Sequence, residues 1–425
     1  MRSILCLFLL VASVHQAAAD DWPHWRGPNR NDVVADHSGW ENGHWLLEEL
    51  WSTNVGEGGT SPIIVAGKVY TMGWRDERDH VVCLDANTGQ KLWTRSYACP
   101  SHGRMAIGDK GLYSGVTSTP DFDAATGYLY SLSADGHLNC WDTKTEGKNV
   151  WSLNLYDEFP VERRPKVGRS SLKDYGYSSS PLVSDDTVIV EVGSSDGNLM
   201  GFDKRSGKRR WSSQSKSPAG HTGGPVPITV ENIPCAAIQN HDGLLVVRLD
   251  RGHEGETVAT VDWETTYANN VATVSVEGKH VIVTSSYNHQ KIAKFEITLQ
   301  GAKKLWEQKF ASKVCTPVIR GGRVYWVWRR MMCLDYETGE LKWQGGRFGD
   351  AGSLIATADN RLIIWANRGD LLLVDSAKRS PDRYREVDSK KGIGKSDAWP
   401  HVVLADGKLF CKDRNGNLHC FKIGR

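Results

Sequence analysis

A short string that recurs along the chain limits the folds open to it more than any other feature. It reads apolar–Asp, two further residues, Thr or Ser followed by Gly, and then a short strand that ends on Trp. Copies occupy residues 82–93, 201–211 and 333–343, and a looser copy occupies 140–151. The Asp side chain accepts backbone N–H groups two residues on, and the Gly supplies a positive φ, so each copy predicts a tight turn. Burying each Trp is expected to stabilise the fold by about 2–3 kcal/mol.

Further hairpin signals surround each copy. Upstream, a small residue and Pro precede an alternating strand, as at 61–62, 180–181 and 316–317. Asp-Gly or Asn-Gly pairs, which favour hairpin turns, stand at 135–136, 196–197, 242–243 and 415–416. One unit is therefore predicted to be four antiparallel strands whose last strand closes on an aromatic residue. The predicted closing positions, with a degenerate eighth near Tyr384, are Trp51, Trp93, Trp151, Trp211, Trp263, Trp306 and Trp343.

Repetition of such a unit predicts an all-β fold, an eight-bladed β-propeller. Seven blades remain the alternative, because two of the units match the repeat pattern only weakly. The strand at 47–53 ends on a closing Trp but is not preceded by the other three strands of a blade. The last unit, 398–423, has three strands and lacks a fourth. We therefore expect the N-terminal strand to complete the last blade and close the ring, which removes exposed sheet edges.

Residues 1–19 have the layout of a secretory signal peptide, with Arg2, an apolar stretch over 4–14 and small residues at 17–19. The apolar stretch is shorter than the roughly 20 residues that cross a bilayer, and the residue before Cys6 is not the small one that a lipoprotein signal needs. We expect a periplasmic or secreted protein without a transmembrane span. The predicted organisation is a signal peptide at 1–19, an N-terminal segment at 20–45 and the propeller at 46–425.

The charge balance argues against a nucleic-acid partner. Lys and Arg number 52 and Asp and Glu number 50, which gives a formal net charge of +2. A basic excess of the kind that binds nucleic acid is therefore missing from the composition. The expected partner is an unidentified envelope protein or a small polar ligand, and the expected state is a monomer.

The repeat, taken with the Ser/Thr-Pro and hairpin signals, resembles that of the PQQ-binding-like (quinoprotein alcohol dehydrogenase-like) propellers over roughly residues 22–423. The opening looks like the N-terminal tag of secreted, planctomycete-type bacterial members, and reads Trp22-Pro23-His24-Trp25-Arg26-Gly27-Pro28-Asn29. We expect this segment to pack over one face of the ring, with a docking role as the alternative. The resemblance covers both PQQ-dependent alcohol dehydrogenases and the non-catalytic BamB-type assembly scaffold, so it implies the fold more strongly than an activity.

In the dehydrogenases the resemblance implies PQQ with calcium, an adjacent-cysteine disulfide, a catalytic Asp and Glu, Asn and Asp metal ligands. The sequence contains no Cys-Cys pair and no C-x-x-C-H string, and no family catalytic residue can be placed on a matching motif. We therefore assign no catalytic residue and no metal ligand, and PQQ with calcium stays a minor possibility. The leading hypothesis is a secreted or periplasmic, BamB-like, non-catalytic scaffold that binds a partner protein or a ligand, with cell-envelope or outer-membrane assembly as the process it would serve. The alternatives are a PQQ-dependent oxidoreductase and a carbohydrate-binding or carbohydrate-processing propeller.

Residues just before the innermost strand of each blade are predicted to crowd one mouth of the central channel. With Thr60 and Thr119, the ligand candidates there are Tyr177, His221, Asn269, Asn270, Lys313, Asp350, Asp397 and Trp399. This polar set with two aromatic residues suits a small polar ligand, a sugar or a peptide loop, and it equally suits plain solvation of a channel.

Eight cysteines follow the signal peptide, and most are predicted to be small buried hydrophobic residues. Cys411 and Cys420 are the exception. If Asn415-Gly416 forms a two-residue turn, the two cysteines face each other at a distance that suits a disulfide. We therefore treat the Cys411–Cys420 disulfide as a hypothesis for an oxidising compartment.

Overall fold

The computed structural model describes residues 21–100, 115–165, 172–266 and 269–424. Within these ranges the chain forms eight four-stranded antiparallel sheets arranged as a ring. The predicted eight-bladed propeller is confirmed, and the seven-bladed alternative is excluded. We number the blades 1 to 8 along the chain and name the strands of each blade from the inner strand, which faces the channel, to the outer strand.

The strands are short, and each blade follows the order predicted from the turns. From inner to outer strand, blades 1 to 4 are Ile63–Val65, Lys68–Arg75, Arg78–Asp85, Lys91–Ala98; Asp121–Asp123, Tyr128–Leu132, His137–Asp142, Lys148–Asn154; Leu182–Ser184, Thr187–Ser194, Gly197–Asp203, Arg209–Ser212; and Val226–Val230, Ile233–Gln239, Gly243–Arg248, Thr257–Asp262. Blades 5 to 8 are Ser275–Glu277, His280–Ser285, Lys291–Thr298, Gly301–Gln308; Val318–Arg320, Arg323–Trp328, Arg330–Asp335, Leu341–Gly345; Gly352–Ala356, Arg361–Ala366, Asp370–Asp375, Glu386–Lys390; and Val403–Ala405, Lys408–Lys412, Asn417–Ile423, Leu47–Asn54. The remaining elements are a small hairpin of Trp40–Glu41 and His44–Trp45, a 3-10 helix at Thr143–Thr145 and an α-helix at Leu155–Glu158.

The ring closes as predicted, through strands from opposite ends of the chain. The outer strand of blade 8, Leu47–Asn54, pairs with Asn417–Ile423 in antiparallel register, from Leu47 opposite Ile423 to Asn54 opposite Asn417. Blade 8 therefore has its full set of four strands, and the edge of its third strand is covered.

The repeated Trp and Gly belong to one contact between neighbouring blades. Trp51, on the outer strand of blade 8, lies against Gly89 in the last turn of blade 1, and its indole N–H donates to the Ala86 carbonyl at 3.1 Å. Gly89 has φ +69°, and a Cβ there would lie 2.6 Å from the Trp51 ring. The same contact joins Trp151 to Gly207. The repeat therefore needs Gly both for its conformation and for the space that the Trp fills.

Trp263 does not occupy the equivalent position, which corrects the prediction from the sequence. Each blade has an extra outer-strand residue, a β-bulge, next to its closing position; in blade 4 Ala259 takes that position, opposite Val246. Trp263 follows the outer strand, with its ring centre 5.4 Å from that of His289 in blade 5. In blade 7 the equivalent position is Asp388 rather than the Tyr384 region.

The Cys411–Cys420 disulfide is also excluded, because the register differs by one residue from the assumed turn. Phe410 lies opposite Cys420, and Cys411 lies opposite His419. Side chains alternate between the two faces of a strand, so the two thiols point to opposite faces of the sheet. All eight described cysteines are buried free thiols, and burial raises the pKa of Cys420 to about 12.

The N-terminal segment runs inside the ring instead of over one face of it. Trp22 exchanges backbone hydrogen bonds of 2.8 and 2.9 Å with Ile64 in the inner strand of blade 1. Farther on, the Ala356 N–H in the inner strand of blade 7 donates to the Asp32 carbonyl at 2.8 Å. The segment thus adds to the inner strands of two blades and fills the channel between them.

Candidate ligand site at the channel mouth

Buried ion pairs hold the N-terminal segment in the channel. The Arg26 guanidinium lies 2.5 Å from the Asp32 carboxylate, and both side chains are almost fully buried. A second Arg26 nitrogen donates to the Val274 carbonyl of blade 5 at 3.2 Å. The arginine therefore links the segment to the far side of the ring.

Blade 2 provides a second anchor, Asp121. Its carboxylate accepts from Arg30 at 2.6 Å and contacts the His24 ring nitrogen at 2.7 Å. Burial alone would raise the pKa of Asp121, but the nearby Arg30 and His24 outweigh burial and lower it. The carboxylate therefore stays charged beside the segment and fixes its position.

A cavity of about 790 Å³ lies above this segment, at the end of the channel where the inner strands begin. We call this end the mouth. Trp25 lines the cavity from below, with its ring centre 5.5 Å from that of His401. The cavity is therefore a blind pocket whose floor is the N-terminal segment, and its volume is in the range of small-molecule sites.

Six of the eight ligand candidates line this cavity, together with Thr119; the six are His221, Asn269, Lys313, Asp350, Asp397 and Trp399. Tyr177 and Asn270 lie behind the wall. The Tyr177 hydroxyl donates to the Val192 carbonyl at 2.8 Å, and the Asn270 amide donates to the Asn240 and Trp263 carbonyls. Both side chains hold neighbouring loops together, as Thr60 does through the Val116 carbonyl.

Several lining residues were missed by the sequence reasoning. Trp25 was missed because only the path of the N-terminal segment brings it to the mouth. Tyr287, Arg368 and Arg414 come from turns between the second and third strands. Strand direction gives the signal that could have found them, since antiparallel strands bring these turns to the same end as the residues before the inner strands.

Aromatic rings stand beside basic or imidazole groups around the mouth. The Arg414 guanidinium lies 4.5 Å from the centre of the Trp399 ring, and the Lys313 ammonium lies 5.9 Å from that of Tyr287. Tyr175 and His221 pack edge to face, with ring centres 4.6 Å apart. The wall therefore offers both apolar ring surface and hydrogen-bonding groups.

Lys313 and Asp350 neutralise each other at one side of the mouth, with 2.5 Å between their charged atoms. The other Asp350 oxygen accepts from the Trp328 indole at 3.0 Å. Burial opposes ionisation of Asp350, but the hydrogen bonds from Lys313 and Trp328 outweigh it and lower the pKa of the carboxyl. This pair gives the cavity wall a fixed polar group without a net charge.

A buried acid and a buried base lie behind the wall at blades 3 and 4. The Thr222 hydroxyl, which lines the cavity, donates to the Glu191 carboxylate at 2.5 Å. Burial raises the pKa of Glu191 to about 7. Burial also lowers the pKa of Lys173 to about 8, and the Lys173 ammonium lies 3.7 Å from the centre of the Tyr177 ring.

The donor set of the mouth does not fit PQQ with calcium. Calcium prefers six to eight oxygen ligands, several of them carboxylates. Among the described residues no three His, Cys, Asp or Glu side chains converge on one point, and Asp350 is already engaged by Lys313. Among the described residues that line the cavity there is no cysteine.

The eight-bladed ring with its repeated Asp-x-x-Thr-Gly turns is of the PQQ-like repeat propeller class. The family profile described as outer membrane protein assembly factor BamB matches residues 77–345, and the chain belongs to this family. Two curated relatives, the dehydrogenase subunits of alcohol dehydrogenase (quinone) from Gluconacetobacter polyoxogenes and Komagataeibacter europaeus, are each 30% identical over 172 residues. That stretch is 39% of this chain and 20% of each relative, so the match spans about a fifth of their length.

Solved structures show the same fold. BamB from Moraxella catarrhalis superposes with a TM-score of 0.61 at 13% identity, over 89% of this chain and 100% of that one. Quinohemoprotein alcohol dehydrogenase from Comamonas testosteroni superposes with a TM-score of 0.64 at 14% identity, over 96% of this chain and 81% of that one. In the part of the chain that the structure describes, no helix has the length and apolar character to cross a membrane.

Proposed function

We propose that the protein is a non-catalytic, monomeric binding propeller that holds a saccharide in its mouth, in a periplasmic or secreted location. The observation that carries the proposal is the blind cavity of about 790 Å³ with four aromatic side chains in its lining: Trp25, Tyr175, Tyr287 and Trp399. Aromatic rings offer apolar faces to sugar C–H groups, and polar side chains between them take up the hydroxyl groups.

The polar part of the wall supports the same ligand class. Asn269, Asn367 and Asp174 supply planar amide and carboxylate groups, and several Ser and Thr hydroxyls lie between them. The amides and hydroxyls both donate and accept hydrogen bonds, as sugar hydroxyls do, and the carboxylate accepts them. The predicted signal peptide at 1–19, on which the proposed location depends, lies outside the described residues.

The test uses purified mature protein and four neutral trisaccharides: maltotriose, cellotriose, xylotriose and chitotriose. Binding by calorimetry of at least one of them, lost in Trp399→Ala and kept in Trp40→Ala, is the expected result. Trp40 lies in the small hairpin away from the mouth and is the matched control. Binding that survives Trp399→Ala places the ligand elsewhere, and no binding of any probe contradicts the proposal.

A separate arm tests the quinoprotein alternative suggested by the names of the relatives. The protein is incubated with PQQ and calcium chloride and passed through gel filtration. We expect no quinone absorbance in the protein fraction, because the wall lacks a fitting calcium site among the described residues. Retained PQQ at one equivalent would contradict this expectation and favour an oxidoreductase.

Binding of a protein partner, suggested by the words "assembly factor" in the family description, is the second candidate. Leu50, Leu92 and Val150 stand at the bulges of the outer strands of blades 8, 1 and 2 and are 38%, 44% and 39% exposed. One exposed apolar side chain on each of three consecutive blades offers contact points to a protein partner. Photo-crosslinkers at Leu92 and Val150 should capture one defined envelope protein, whereas Leu341 in blade 6 should not; equal labelling at all three sites contradicts this role.

A further inference from the structure

The floor of the mouth closes the cavity at its lower end. The N-terminal segment adds to the inner strand of blade 1 through Trp22 and to that of blade 7 through Asp32. On the blade 4 side the segment is packed just as closely, since a Cβ at Gly223 would lie 2.6 Å from the Trp25 ring. A ligand therefore approaches this floor from one direction only, and a chain-like ligand reaches it only with one of its ends.

The backbone of the segment is held in an unfavourable conformation. Arg26, Arg30 and Asp32 have φ values of +68°, +52° and +59°, in the left-handed region that residues with a Cβ rarely occupy. All three side chains are buried, and the Arg26 guanidinium lies 2.5 Å from the Asp32 carboxylate. Such a conformation persists where the surrounding structure determines it fully, and it often occurs where a side chain must be placed for a function. The segment thus puts the Asp32 carboxylate at a fixed point below the cavity.

His401 lies between this carboxylate and the cavity. Its side chain lines the cavity, and the residue is 7% exposed. The His401 Nδ1 and the Asp32 Oδ1 face each other at 3.5 Å, and neither atom has a hydrogen-bond partner among the described residues. The other Asp32 oxygen is held by Arg26, so Oδ1 is the oxygen turned to the imidazole. A buried carboxylate oxygen beside an imidazole favours the tautomer that carries the proton on Nδ1.

A proton on Nδ1 leaves Nε2 as a hydrogen-bond acceptor. The two nitrogens lie on different edges of the ring, so with Nδ1 directed at Asp32 the Nε2 edge is directed towards the cavity. The residue is fixed from two further sides, because its backbone N–H donates to Ser61 Oγ at 2.8 Å and the Trp25 ring packs against the imidazole. Ser61 also lines the cavity, and its hydroxyl can donate as well as accept. The floor therefore presents an acceptor and a donor together with an aromatic ring.

We propose that the mouth binds one end of a saccharide chain, with the terminal sugar unit on the floor and one of its hydroxyl groups donating to His401 Nε2. Asp32 is the positioning residue that sets the tautomer of His401. Ser61 donates to a further oxygen of the same unit, and Trp25 contacts its C–H groups. This inference rests on the proposed saccharide site and adds which part of the saccharide enters and which residue recognises it.

The first test blocks the two ends of the ligand one at a time. The probe is whichever of maltotriose, cellotriose, xylotriose and chitotriose binds in the test of the proposed function. One conjugate carries a bulky dye as a glycoside at the reducing end, and the other carries the same dye on O4 of the non-reducing unit. One conjugate should bind within five-fold of the free trisaccharide, and the other at least one hundred-fold more weakly. Equal binding of the two conjugates, whether strong or weak, overturns end-on binding, because a blind pocket encloses one end and leaves the other outside.

The second test replaces His401 with the two amides that mimic its nitrogens one at a time. His401→Gln places an amide group where Nε2 lies and should keep the affinity for the free trisaccharide within five-fold. His401→Asn places the amide where Nδ1 lies and should lose at least ten-fold. His44→Asn, in the exposed part of the small hairpin, is the matched control and should bind like the wild type. Melting temperatures measured without ligand show whether each variant is folded, and equal affinity of the two folded His401 variants overturns the role of Nε2.

Nitrogen NMR on protein labelled with ¹⁵N-histidine reads the tautomer of the wild type directly, so the assignment stays testable if the His401 variants do not fold. Above neutral pH we expect the His401 proton on Nδ1 in the free protein, and an upfield shift of the Nε2 signal when the trisaccharide binds. Asp32→Asn should shift His401 towards the Nε2–H form and leave the His44 signals unchanged. A wild-type His401 that is protonated on Nε2 overturns the assignment, because that nitrogen could not then accept.

The outcomes separate the two proposals. If a trisaccharide binds but the two conjugates bind equally, or the two His401 variants bind equally, only the present inference falls and the saccharide site stands. If no saccharide binds, the proposed function falls, and end-on binding falls with it.

Discussion

Arg26→Met tests whether the floor of the mouth is held by charge. Arg26 and Asp32 lie 2.5 Å apart and are 1% and 0% exposed. Removing one partner of a buried pair leaves an uncompensated charge, which typically costs about 3–5 kcal/mol. In this case His401 is the remaining imidazole near Asp32, at 3.5 Å. Because it contacts the carboxylate less closely than Arg26 does, we expect the loss of stability to fall in that range.

Urea unfolding followed by tryptophan fluorescence measures the change, and binding of a neutral trisaccharide reports on the floor. Arg26→Met should lower the free energy of unfolding by about 3–5 kcal/mol and weaken ligand binding, because Trp25 is the adjacent residue. The double variant Arg26→Met, Asp32→Leu removes both charges and should recover part of the loss. Arg205→Met, at an exposed turn, should stay within about 0.5 kcal/mol of wild type.

A loss below about 1 kcal/mol in Arg26→Met would refute the reasoning, since it would mean that the buried pair contributes no more than an exposed one. A full loss in the double variant would also count against it, because the cost would then come from packing and not from the unpaired carboxylate.

Three further predictions concern stability. Gly207→Ala should destabilise the fold by more than about 1–2 kcal/mol in the same urea assay, because its φ is +72° and a Cβ would lie 2.7 Å from the Trp151 ring. Gly407 has φ +62° with open space around it, so Gly407→Ala should cost only the free energy of placing Ala in the left-handed conformation. Burial opposes ionisation of Asp359, but hydrogen bonds from Thr357, Ser38 and Arg361 outweigh burial and lower the pKa of the carboxyl to about 2. The ionised group therefore stabilises the fold above pH 4, and this stabilisation is lost as the pH falls towards 2. Asp359→Asn should flatten that part of the curve of unfolding free energy against pH, and an unchanged curve contradicts the assignment. The eight described thiols should react with a maleimide only on unfolding, because all are buried; rapid labelling of the native protein would contradict this.

The ring was predictable because its signals are local. Asp-x-x-Thr-Gly turns, such as the one at Asp85, use the Asp side chain to accept nearby backbone N–H groups, so a few residues decide the turn. Closure by Leu47–Asn54 followed from counting strands. The register of Cys411 and Cys420 was not predictable in this way. In the turn after Lys412, the Asp413 carboxylate accepts the Asn417 N–H, and the loop has one residue more than a two-residue Asn-Gly turn. The extra residue shifts the pairing of the two strands by one position.

The site was predictable in part for the same reason. Residues before the inner strands, such as Lys313 and Trp399, reach the mouth through strand direction alone. Whether a side chain there faces the cavity or a neighbouring loop depends on packing, and Tyr177 and Asn270 face loops. Trp25 could not be placed, because its position depends on Arg26 and Asp32 contacts inside an assembled ring.

The threading of the N-terminal segment through the ring has a consequence for biogenesis. The segment ahead of blade 1 provides both the floor of the pocket and the outer strand of blade 8, whose other three strands come after the seven other blades in the chain. Until the strands of blade 8 are present, the ring is open and the cavity at the mouth is incomplete. Ligand binding at the mouth should therefore appear only after the ring has closed, and long-range contacts of this kind are slow to form. Loss of even the final blade should leave a protein that retains β-structure and binds nothing at the mouth.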